Sequence, residues 1–416
     1  MRLKRVVVTG LGALTPIGND VRSYWEALVQ GVSGALPITR FDASNFKTQF
    51  ACELKGFQAT DHFERKEIRT LDPYSQYAMV AAHEGIADAG LLDDGLNKDR
   101  IGVIWGSGVG GLFTFQEEVG DFVRGNGIPR FNPYFIPKMI ADMASGHISM
   151  KYGFKGPNFT TVSACASAAN AIIDSYNYIR LGKADAIVCG GSEAAITEAG
   201  IGGFNALRAL STRNDDPKTA SRPFDRDRDG FVLGEGAGCL ILEEYEHAKA
   251  RGAKAYCEMG GGGLSADAYH VTAPHPQGEG FKTVMKNALA DARVSVAEVD
   301  HINMHGTATP LGDKMEAKAI EEVFGCENSY EMSLNSTKSM TGHLLGATGA
   351  VELIALALTL KHGIIPPTIN HFTDDGEIDS RLDFTFNKAH RRVVHIAMSN
   401  TFGFGGHNAC ILIKRM

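Results

Sequence analysis

The sequence predicts an α/β fold of layered helices and sheets, and two observations support this class. Short β-rich runs alternate with helical runs, and several of the short runs are almost continuously apolar, as buried strands are. Strands are predicted at 4–9, 101–105, 186–189 and 238–242. Helices are predicted at 72–89 and at 166–181, and the second is rich in alanine and apolar on nearly all sides, which indicates a buried helix.

Length and composition are those of a large globular enzyme. The 416 residues are 44% hydrophobic and 21% charged, which excludes a disordered chain and allows two to three domains or one composite fold. The 48 glycines follow no triplet repeat, so collagen is excluded, and their number favours tight turns and backbone close to a ligand.

Charge and cysteine usage limit the partners and the compartment. The net charge of −7 argues against a nucleic acid partner, and the lack of an 18-residue apolar run argues against a membrane span. The basic first residues resemble a signal peptide, but Thr9, Gly10 and Gly12 interrupt the apolar run, which favours a first strand and turn. Seven cysteines, odd in number and without a CxxC pair, favour a reduced, cytoplasmic protein.

A weak internal duplication suggests two similar halves. Cys165 opens the alanine-rich helix, and His343 opens the apolar run 344–360; a predicted strand with a glycine turn precedes each, at 101–106 and 299–306. We therefore predict an N-terminal half at 1–250, which carries the cysteine, and a C-terminal half at 251–416, which carries His305 and His343. No Pro- or Ser-rich linker separates them, so we expect closely packed halves with a site between them.

Three motifs imitate ligand sites and are better explained as structure. Gly10-Leu11-Gly12 follows a strand as a dinucleotide fingerprint does, but the third glycine is missing, so a turn is predicted. The run 225–230 imitates a calcium loop, but its glutamate stands one place early, so a charge-paired turn is predicted. His301 and His305 lie on a strand-like run and would be about 13 Å apart, too far to share a metal.

Two segments carry residues suited to acyl transfer. In 162–169, small residues surround Cys165 at the start of a helix, where the helix dipole favours a thiolate and the small neighbours leave room for an acyl group. A buried structural cysteine is the alternative. In 304–313, His305 leaves a strand into a turn with Thr307 and Thr309, whose hydroxyls can hold a polar ligand.

A third segment, 335–350, places Lys338 and His343 ahead of an apolar helix that contains Glu352. A carboxylate in such a run needs a partner, and Lys338 is the natural one, although the pair can be purely structural. One cysteine with two histidines suits a thiolate that attacks a thioester and two imidazoles that donate hydrogen bonds to an enolate oxygen. From these residue types alone, a Cys–His hydrolase stays open as an alternative.

The three segments, in this order, resemble the Cys–His–His set of the β-ketoacyl-[acyl-carrier-protein] synthases of the thiolase superfamily. The resemblance spans nearly the whole chain, includes the motifs at 209–214, 221–225, 228–236 and 400–406, and is closest to the type II synthases of dissociated fatty acid synthesis. His343 at the third position disfavours the Cys–His–Asn synthases. Cys410 lies in a strand-like tail rather than where degradative thiolases have a second active-site cysteine.

The resemblance implies a thiolase fold, a five-layer αβαβα sandwich of two similar halves, and a homodimer. It implies a decarboxylative Claisen condensation of an acyl group with malonyl-[acyl-carrier-protein]. No cofactor or metal is implied, because the phosphopantetheine arrives on the acyl carrier protein. A dedicated polyketide or aryl-polyene ketosynthase would use the same chemistry. The alternative of a different class is a non-condensing subunit that only binds carrier protein, and Cys165 argues against it.

The resemblance also implies a role for each matching catalytic residue. Cys165 would carry the acyl chain, and its N–H would form an oxyanion hole with that of Phe404, whose ring would be a movable gate. His305 and His343 would bind the malonyl thioester carbonyl during decarboxylation.

Further matching residues would support or bind. Lys338, paired with Glu352, would order the His343 loop, while Thr307 and Thr309 would hydrogen-bond the pantetheine arm. Basic residues would dock the acidic carrier protein; these are Lys66, Arg69, Arg130 and Arg208.

Several positions depart from the family pattern. The stretch 166–170 reads Ala-Ser-Ala-Ala-Asn where type II synthases often have Gly and His, which leaves the acyl-pocket shape open. Ala308 stands where many members have Ser, and His407 where Thr is common. Thr70 replaces a basic residue in the docking strip, so the affinity for the carrier protein can differ.

Overall fold

A computed structural model describes residues 3–93 and 95–416. Its strands are β1 Val6–Leu14, β2 Leu36–Pro37, β3 Phe50–Ala51, β4 Ile101–Gly106, β5 Asn158–Thr161, β6 Ala186–Glu193, β7 Gly236–Glu244, β8 Cys257–Ala266, β9 His301–Asn303, β10 Ser333–Asn335, β11 Ile364–Ile365, β12 His390–Arg391, β13 Ile396–Gly403 and β14 His407–Lys414. Its α-helices are α1 Val21–Gln30, α2 Arg65–Ile68, α3 Pro73–Asp88, α4 Leu112–Arg124, α5 Phe135–Met139, α6 Met143–Tyr152, α7 Ser167–Arg180, α8 Glu198–Ala206, α9 Tyr245–Ala250, α10 Glu279–Ala292, α11 Pro310–Glu331, α12 Lys338–Thr341 and α13 Thr348–His362.

The main sheet repeats one topology twice. Its strand order is β10-β9-β13-β14-β8-β1-β7-β6-β4-β5, so five strands from each half of the chain meet at the antiparallel pair β1–β8. Outward from that pair, each set makes two antiparallel pairings followed by two parallel ones. The shared pattern shows two similar halves; the predicted division at residue 250 stays a prediction, and that residue ends α9 between β7 and β8.

The helices complete five layers. Helices α7 and α13 pack against each other and lie between the two five-stranded sets. Helices α3 and α6 cover the outer face of the first set, and α10 and α11 cover the outer face of the second. The result is the αβαβα sandwich that the family resemblance implies, with the predicted alanine-rich, buried helix α7 at its centre.

Most of the predicted elements are confirmed, and their ends follow local chemistry. Three of the predicted strands fall within β4, β6 and β7, and the fourth, at 4–9, overlaps β1 from Val6; all four observed strands are buried along their whole lengths. Helix α3 begins after Asp72, whose carboxylate accepts a hydrogen bond from the N–H of Tyr74, and Pro73 occupies the first turn, where its missing N–H costs nothing.

The predicted turn at Gly10 and Gly12 is wrong, because β1 continues through both residues to Leu14. The glycines are needed for close packing instead. A Cβ atom at Gly12 would lie 1.9 Å from the carbonyl oxygen of Ala81, and one at Gly10 would lie 2.3 Å from that of Gly85. The pattern therefore reports the contact of β1 with α3 rather than a change of chain direction.

Two other sequence features have structural explanations. The run 225–230 is a charge-paired turn, in which Asp225 accepts hydrogen bonds from the N–H groups of Phe372 and Thr373, and Arg228 pairs with Asp375. By length and composition, Leu345–His362 could cross a membrane, yet 89% of that window is buried inside the protein, where it forms α13.

We predict that Gly12→Ala destabilises the protein, since its methyl group has no room against α3. Overpacking of this kind costs about 1–3 kcal/mol or more, so the thermal midpoint should fall. Gly146→Ala is the matched control, because a Cβ at this position in α6 has no neighbour within 4 Å and should leave the midpoint unchanged or raise it. Equal midpoints for the two variants would contradict the packing argument.

Candidate active site

Cys165 lies in a short 3-10 turn, Ala164–Ala166, that leads directly into α7. Its side chain is buried, with 8% of the residue exposed, and the N–H groups of Phe404 and of Cys165 itself face the sulfur. Gly403 allows this approach, because a Cβ there would lie 3.2 Å from the nitrogen of Cys165. Two backbone donors thus converge where the sequence expects an oxyanion hole.

His343 is placed beside the sulfur by the turn that precedes α13. Its Nε2 lies 3.0 Å from Sγ of Cys165, and its Nδ1 lies 2.9 Å from the hydroxyl of Thr348, the first residue of α13. The ring packs edge-on against Phe231, with centroids 5.3 Å apart. One imidazole nitrogen is therefore fixed by a hydroxyl and the other faces the cysteine.

His305 follows strand β9 and faces the same sulfur from the second half. Glu316 of α11 holds its backbone: the N–H groups of His305 and Gly306 each donate to that carboxylate at 2.8 Å. The rings of His305 and His343 are nearly perpendicular, with centroids 5.4 Å apart. Both predicted histidines thus lie together at the cysteine.

Lys338 and Glu352 form an ion pair behind the histidines, and each side chain is only 1% exposed. Burial raises the pKa of Glu352 to about 7, and the positive charge of Lys338 opposes that rise. The same charge, together with burial, holds the pKa of His305 and of His343 well below the ordinary value. Both imidazoles are therefore neutral at pH 7.

The helix start does not lower the pKa of Cys165, which corrects the sequence expectation. Burial raises it to about 11, although Lys338 and the N–H groups of Phe404 and Cys165 all favour the thiolate. The negative charge of Glu193 adds to the rise. Desolvation thus outweighs the favourable charge and hydrogen bonds, and the resting side chain is a thiol beside His343.

A cavity of about 430 Å³ opens onto these three side chains and has mostly apolar walls. Thr307 and Thr309 line it, and their hydroxyl oxygens are 3.0 Å apart. Phe404 also lines it, and two glycines with left-handed backbone follow, Gly405 at φ 84° and Gly406 at φ 73°. The cavity therefore combines a mostly apolar lining with a small polar wall formed by Thr307 and Thr309.

The four basic residues expected to dock a carrier protein are all exposed. Lys66 lies in α2 and Arg69 directly follows it, so the two share a helical turn as predicted. Arg130 lies in the loop after α4, and Arg208 stands between Leu207 and Ala209, which line the cavity. Within residues 3–93 and 95–416, none of the four forms an ion pair.

The group of Cys165, His305 and His343 also has the donor set of a zinc site. Ligand atoms of Cys165, His305 and His343 all lie within 4.8 Å of one another, and in the described part of the chain no other three such residues do. A bound imidazole usually gives its second nitrogen to a carboxylate or a carbonyl. Here His343 meets the hydroxyl of Thr348, and Nδ1 of His305 has no hydrogen-bond partner. His301, the other histidine considered for a metal, is buried in β9, where it hydrogen-bonds the carbonyl of Ser333 and lies outside this group.

Sequence reasoning missed two buried carboxylates that hold the site. Glu316 binds the backbone of the His305 turn, and Glu193 binds the backbone beside Cys165. A signal existed for Glu193, since it ends an apolar strand where a charge is costly without partners. Glu316 lies in a helix of mixed composition, where nothing distinguishes it from a surface residue.

We predict that iodoacetamide modifies Cys165 and Cys326 and spares the other five cysteines. Those five are buried away from the cavity, whereas Cys165 lines it, and Cys326 is exposed and serves as an internal comparison. Since the thiolate is the nucleophile and the pKa of Cys165 is about 11, its rate should rise about tenfold per pH unit between pH 7 and 9. Peptide mapping by mass spectrometry gives both rates, and a plateau near pH 7 would contradict the raised pKa.

Curated relatives match the chain from end to end. It is 48% identical to 3-oxoacyl-[acyl-carrier-protein] synthase 2 of Coxiella burnetii over 416 residues, covering 100% of both chains. It is 49% identical to the protein of the same name from Staphylococcus aureus over 412 residues, covering 99% of this chain and 98% of the relative.

Solved structures and family models agree with these relatives. A β-ketoacyl synthase from Burkholderia phymatum superposes with a TM-score of 0.92 at 35% identity, covering 99% and 100% of the two chains. A type II polyketide ketosynthase in complex with its acyl-carrier protein gives 0.90 at 32% identity over the full length of both. The model of the β-ketoacyl synthase N-terminal domain matches residues 3–248, and that of the C-terminal domain matches residues 256–372. The chain therefore belongs to the β-ketoacyl synthase family.

Proposed function

We propose that this protein is a 3-oxoacyl-[acyl-carrier-protein] synthase of type II, which elongates fatty acids by decarboxylative condensation. The observation that carries the proposal is the group of Cys165, His305 and His343 in the wall of one apolar cavity, with two backbone N–H groups facing the sulfur. The end-to-end identity to 3-oxoacyl-[acyl-carrier-protein] synthase 2 supports the same reaction and the fatty acid pathway.

In the first step, the sulfur of Cys165 attacks the carbonyl of an acyl thioester. The bond from that carbon to the carrier sulfur breaks, and the carrier leaves as a thiol with the proton of Cys165. The N–H groups of Cys165 and Phe404 stabilise the negative charge on the oxygen. Nε2 of His343 lies 3.0 Å from the sulfur, close enough for its N–H to donate a hydrogen bond to the sulfur as negative charge develops there.

In the second step, malonyl-[acyl-carrier-protein] loses carbon dioxide, and the electrons of that bond form an enolate. Neutral His305 and His343 each donate one N–H to its oxygen, and a donation from Thr348 to Nδ1 of His343 keeps the proton on Nε2. The carbanion then attacks the acyl carbon on Cys165, and the sulfur leaves. The products are 3-oxoacyl-[acyl-carrier-protein] and carbon dioxide.

The remaining residues position the reactants. Burial, helped by the positive charge of Lys338, keeps the pKa of both histidines low, and Lys338 anchors the segment ahead of α13 through Glu352. Thr307 and Thr309 would bind the pantetheine arm of the carrier. The ring of Phe404 would move as a gate beside Cys165, since the glycines after it tolerate several backbone conformations.

We propose that the reaction needs no cofactor or metal. Loss of carbon dioxide supplies the driving force, and the phosphopantetheine belongs to the carrier protein. The polar wall formed by Thr307 and Thr309 fits such an arm at the cavity. The compartment we propose is the cytoplasm, since all seven cysteines are free thiols.

We also propose a homodimer that forms along β5. This strand ends the ten-stranded sheet, so its outer edge can pair with another strand. Large apolar side chains are exposed in the segments before and after it; they are Val109, Phe113, Phe115, Phe131, Ile136 and Val162. A face of this kind on a single chain is typical of a protein interface.

A dedicated polyketide ketosynthase is the second candidate, because one structural neighbour at 32% identity is a type II polyketide ketosynthase bound to its hexaketide. Turnover across a series of acyl-[acyl-carrier-protein] lengths, with malonyl-[acyl-carrier-protein] as extender, separates the two. Extension of saturated chains supports fatty acid elongation. Absence of turnover with every saturated chain would contradict it.

We predict a division of labour between cysteine and histidines. Cys165→Ala should lose condensation and keep malonyl decarboxylation, since the enolate needs the histidines and not the sulfur. His305→Ala and His343→Ala should each lose most decarboxylation, as loss of one oxyanion donor costs about 2.7–4 kcal/mol, or 10²–10³-fold. Release of carbon dioxide measures this reaction directly. Wild-type release by both histidine variants would refute their roles.

We predict that the docking cations raise the affinity for the acidic carrier protein. Lys66→Glu with Arg69→Glu should raise KM for acyl-[acyl-carrier-protein] several-fold and leave the rate with a short pantetheine thioester unchanged. The difference in KM between the wild type and this variant should shrink as the salt concentration rises, because the Debye length falls from about 10 Å at 0.1 M to about 3 Å at 1 M. Lys388→Glu with Arg391→Glu, exposed in the second half, is the matched control. Equal losses for both pairs would argue against a specific docking surface.

A further inference from the structure

Glu193 ends strand β6 and is completely buried, yet it carries a carboxylate. One oxygen, Oε1, accepts hydrogen bonds from the hydroxyl of Ser107 at 3.2 Å and from the N–H of Val109 at 3.1 Å. The other, Oε2, accepts from the N–H groups of Gly108 at 2.8 Å and Gly346 at 2.9 Å. One side chain therefore joins a loop of the first half to a turn of the second.

Both joined segments belong to the walls of the cavity. Gly108 and Val109 line it directly, and so does Leu345, the neighbour of Gly346. The contact is tight: a Cβ at Gly346 would lie 2.2 Å from the nitrogen of Gly108, and one at Gly108 would lie 2.8 Å from Oε2 of Glu193. The carboxylate thus sets the spacing of two wall segments that cannot shift independently.

A charge at this position is costly. Burial raises the pKa of Glu193 to about 7, and the four hydrogen-bond donors around the carboxylate oppose that rise. Among the described residues, no cation forms an ion pair with Glu193. A neutral side chain would fill the same volume at lower cost. An amide, however, has one acceptor oxygen and cannot accept all the donors that meet here.

We propose that Glu193 is a positioning residue that holds the Gly108–Val109 wall of the acyl cavity in register with the turn that follows His343. The inference deepens the proposed function and rests on it, since it assigns the acyl chain to this cavity. Glu193 does not touch the reacting atoms and acts through the backbone groups that it binds.

The geometry predicts what Glu193→Gln changes. The glutamine has a single amide oxygen, which satisfies more backbone donors at the Oε2 position than at the Oε1 position. At the Oε2 position it keeps the hydrogen bonds from the N–H groups of Gly108 and Gly346. The amide nitrogen then faces the N–H of Val109, which loses its acceptor, while the hydroxyl of Ser107 can rotate to accept. The variant therefore releases the wall at Val109 and retains the hydrogen bonds to Gly108 and to the turn after His343.

The test compares two partial reactions in the full-length protein. Glu193→Gln should slow acylation of Cys165 by a long acyl-[acyl-carrier-protein] about tenfold and leave malonyl decarboxylation within twofold of wild type. The matched control is Glu84→Gln, another largely buried carboxylate that binds two backbone N–H groups and has a pKa raised to about 7, but lies outside the cavity. It should change neither reaction.

Three results would overturn the inference. Unchanged acylation in Glu193→Gln would do so, as would equal losses in both reactions or the same loss in Glu84→Gln. A wild-type protein that performs neither reaction would overturn the proposed function and the inference with it. If Glu193→Gln does not fold, Ser107→Ala tests the same wall: acylation should slow a few-fold with decarboxylation unchanged, and unaltered acylation would overturn the inference.

Discussion

Helices α7 and α13 touch through glycine and alanine, and this contact sets the geometry of the site. A Cβ at Gly349 would lie 2.9 Å from the nitrogen of Ala169, so the two helix starts approach as closely as backbones can. Small residues also let the sheet approach, since a Cβ at Gly106 would lie 2.5 Å from the nitrogen of Ala168. Cys165 precedes one helix and His343 the other, so their 3.0 Å contact follows from this packing.

Burial and one positive charge together decide the protonation states. Burial raises the pKa of Cys165 and lowers the pKa of both histidines, so the cysteine is a thiol and the two rings are neutral. The positive charge of Lys338 lowers the pKa of the histidines further. A neutral imidazole keeps one N–H, so each ring can donate one hydrogen bond to an enolate oxygen. Low polarity is useful here since charge appears only during the reaction.

The sequence predicted the layers and the reactive trio well, and it failed where long-range packing decides the outcome. Buried strands and an alanine-rich helix are visible as local apolar patterns, and Lys338 with Glu352 is visible because a charge in an apolar run needs a partner. The turn at Gly12 was wrong because the residue that excludes a side chain, Ala81, is distant in sequence. The pKa of Cys165 was misjudged because the local helix start is visible in the sequence and the depth of burial is not.

Strand β1 has a consequence for how the chain is made. It joins the two halves of the sheet, yet its partners lie at Gly236–Glu244 and Cys257–Ala266, so Val6 pairs with Glu244. A ribosome must add more than 230 residues before either partner exists. Until then the nine residues of β1, Val6–Leu14, have no partner strand, although all of them are buried in the finished protein. The nascent chain therefore carries an unpaired apolar strand for more than half of its synthesis, and such a strand favours aggregation.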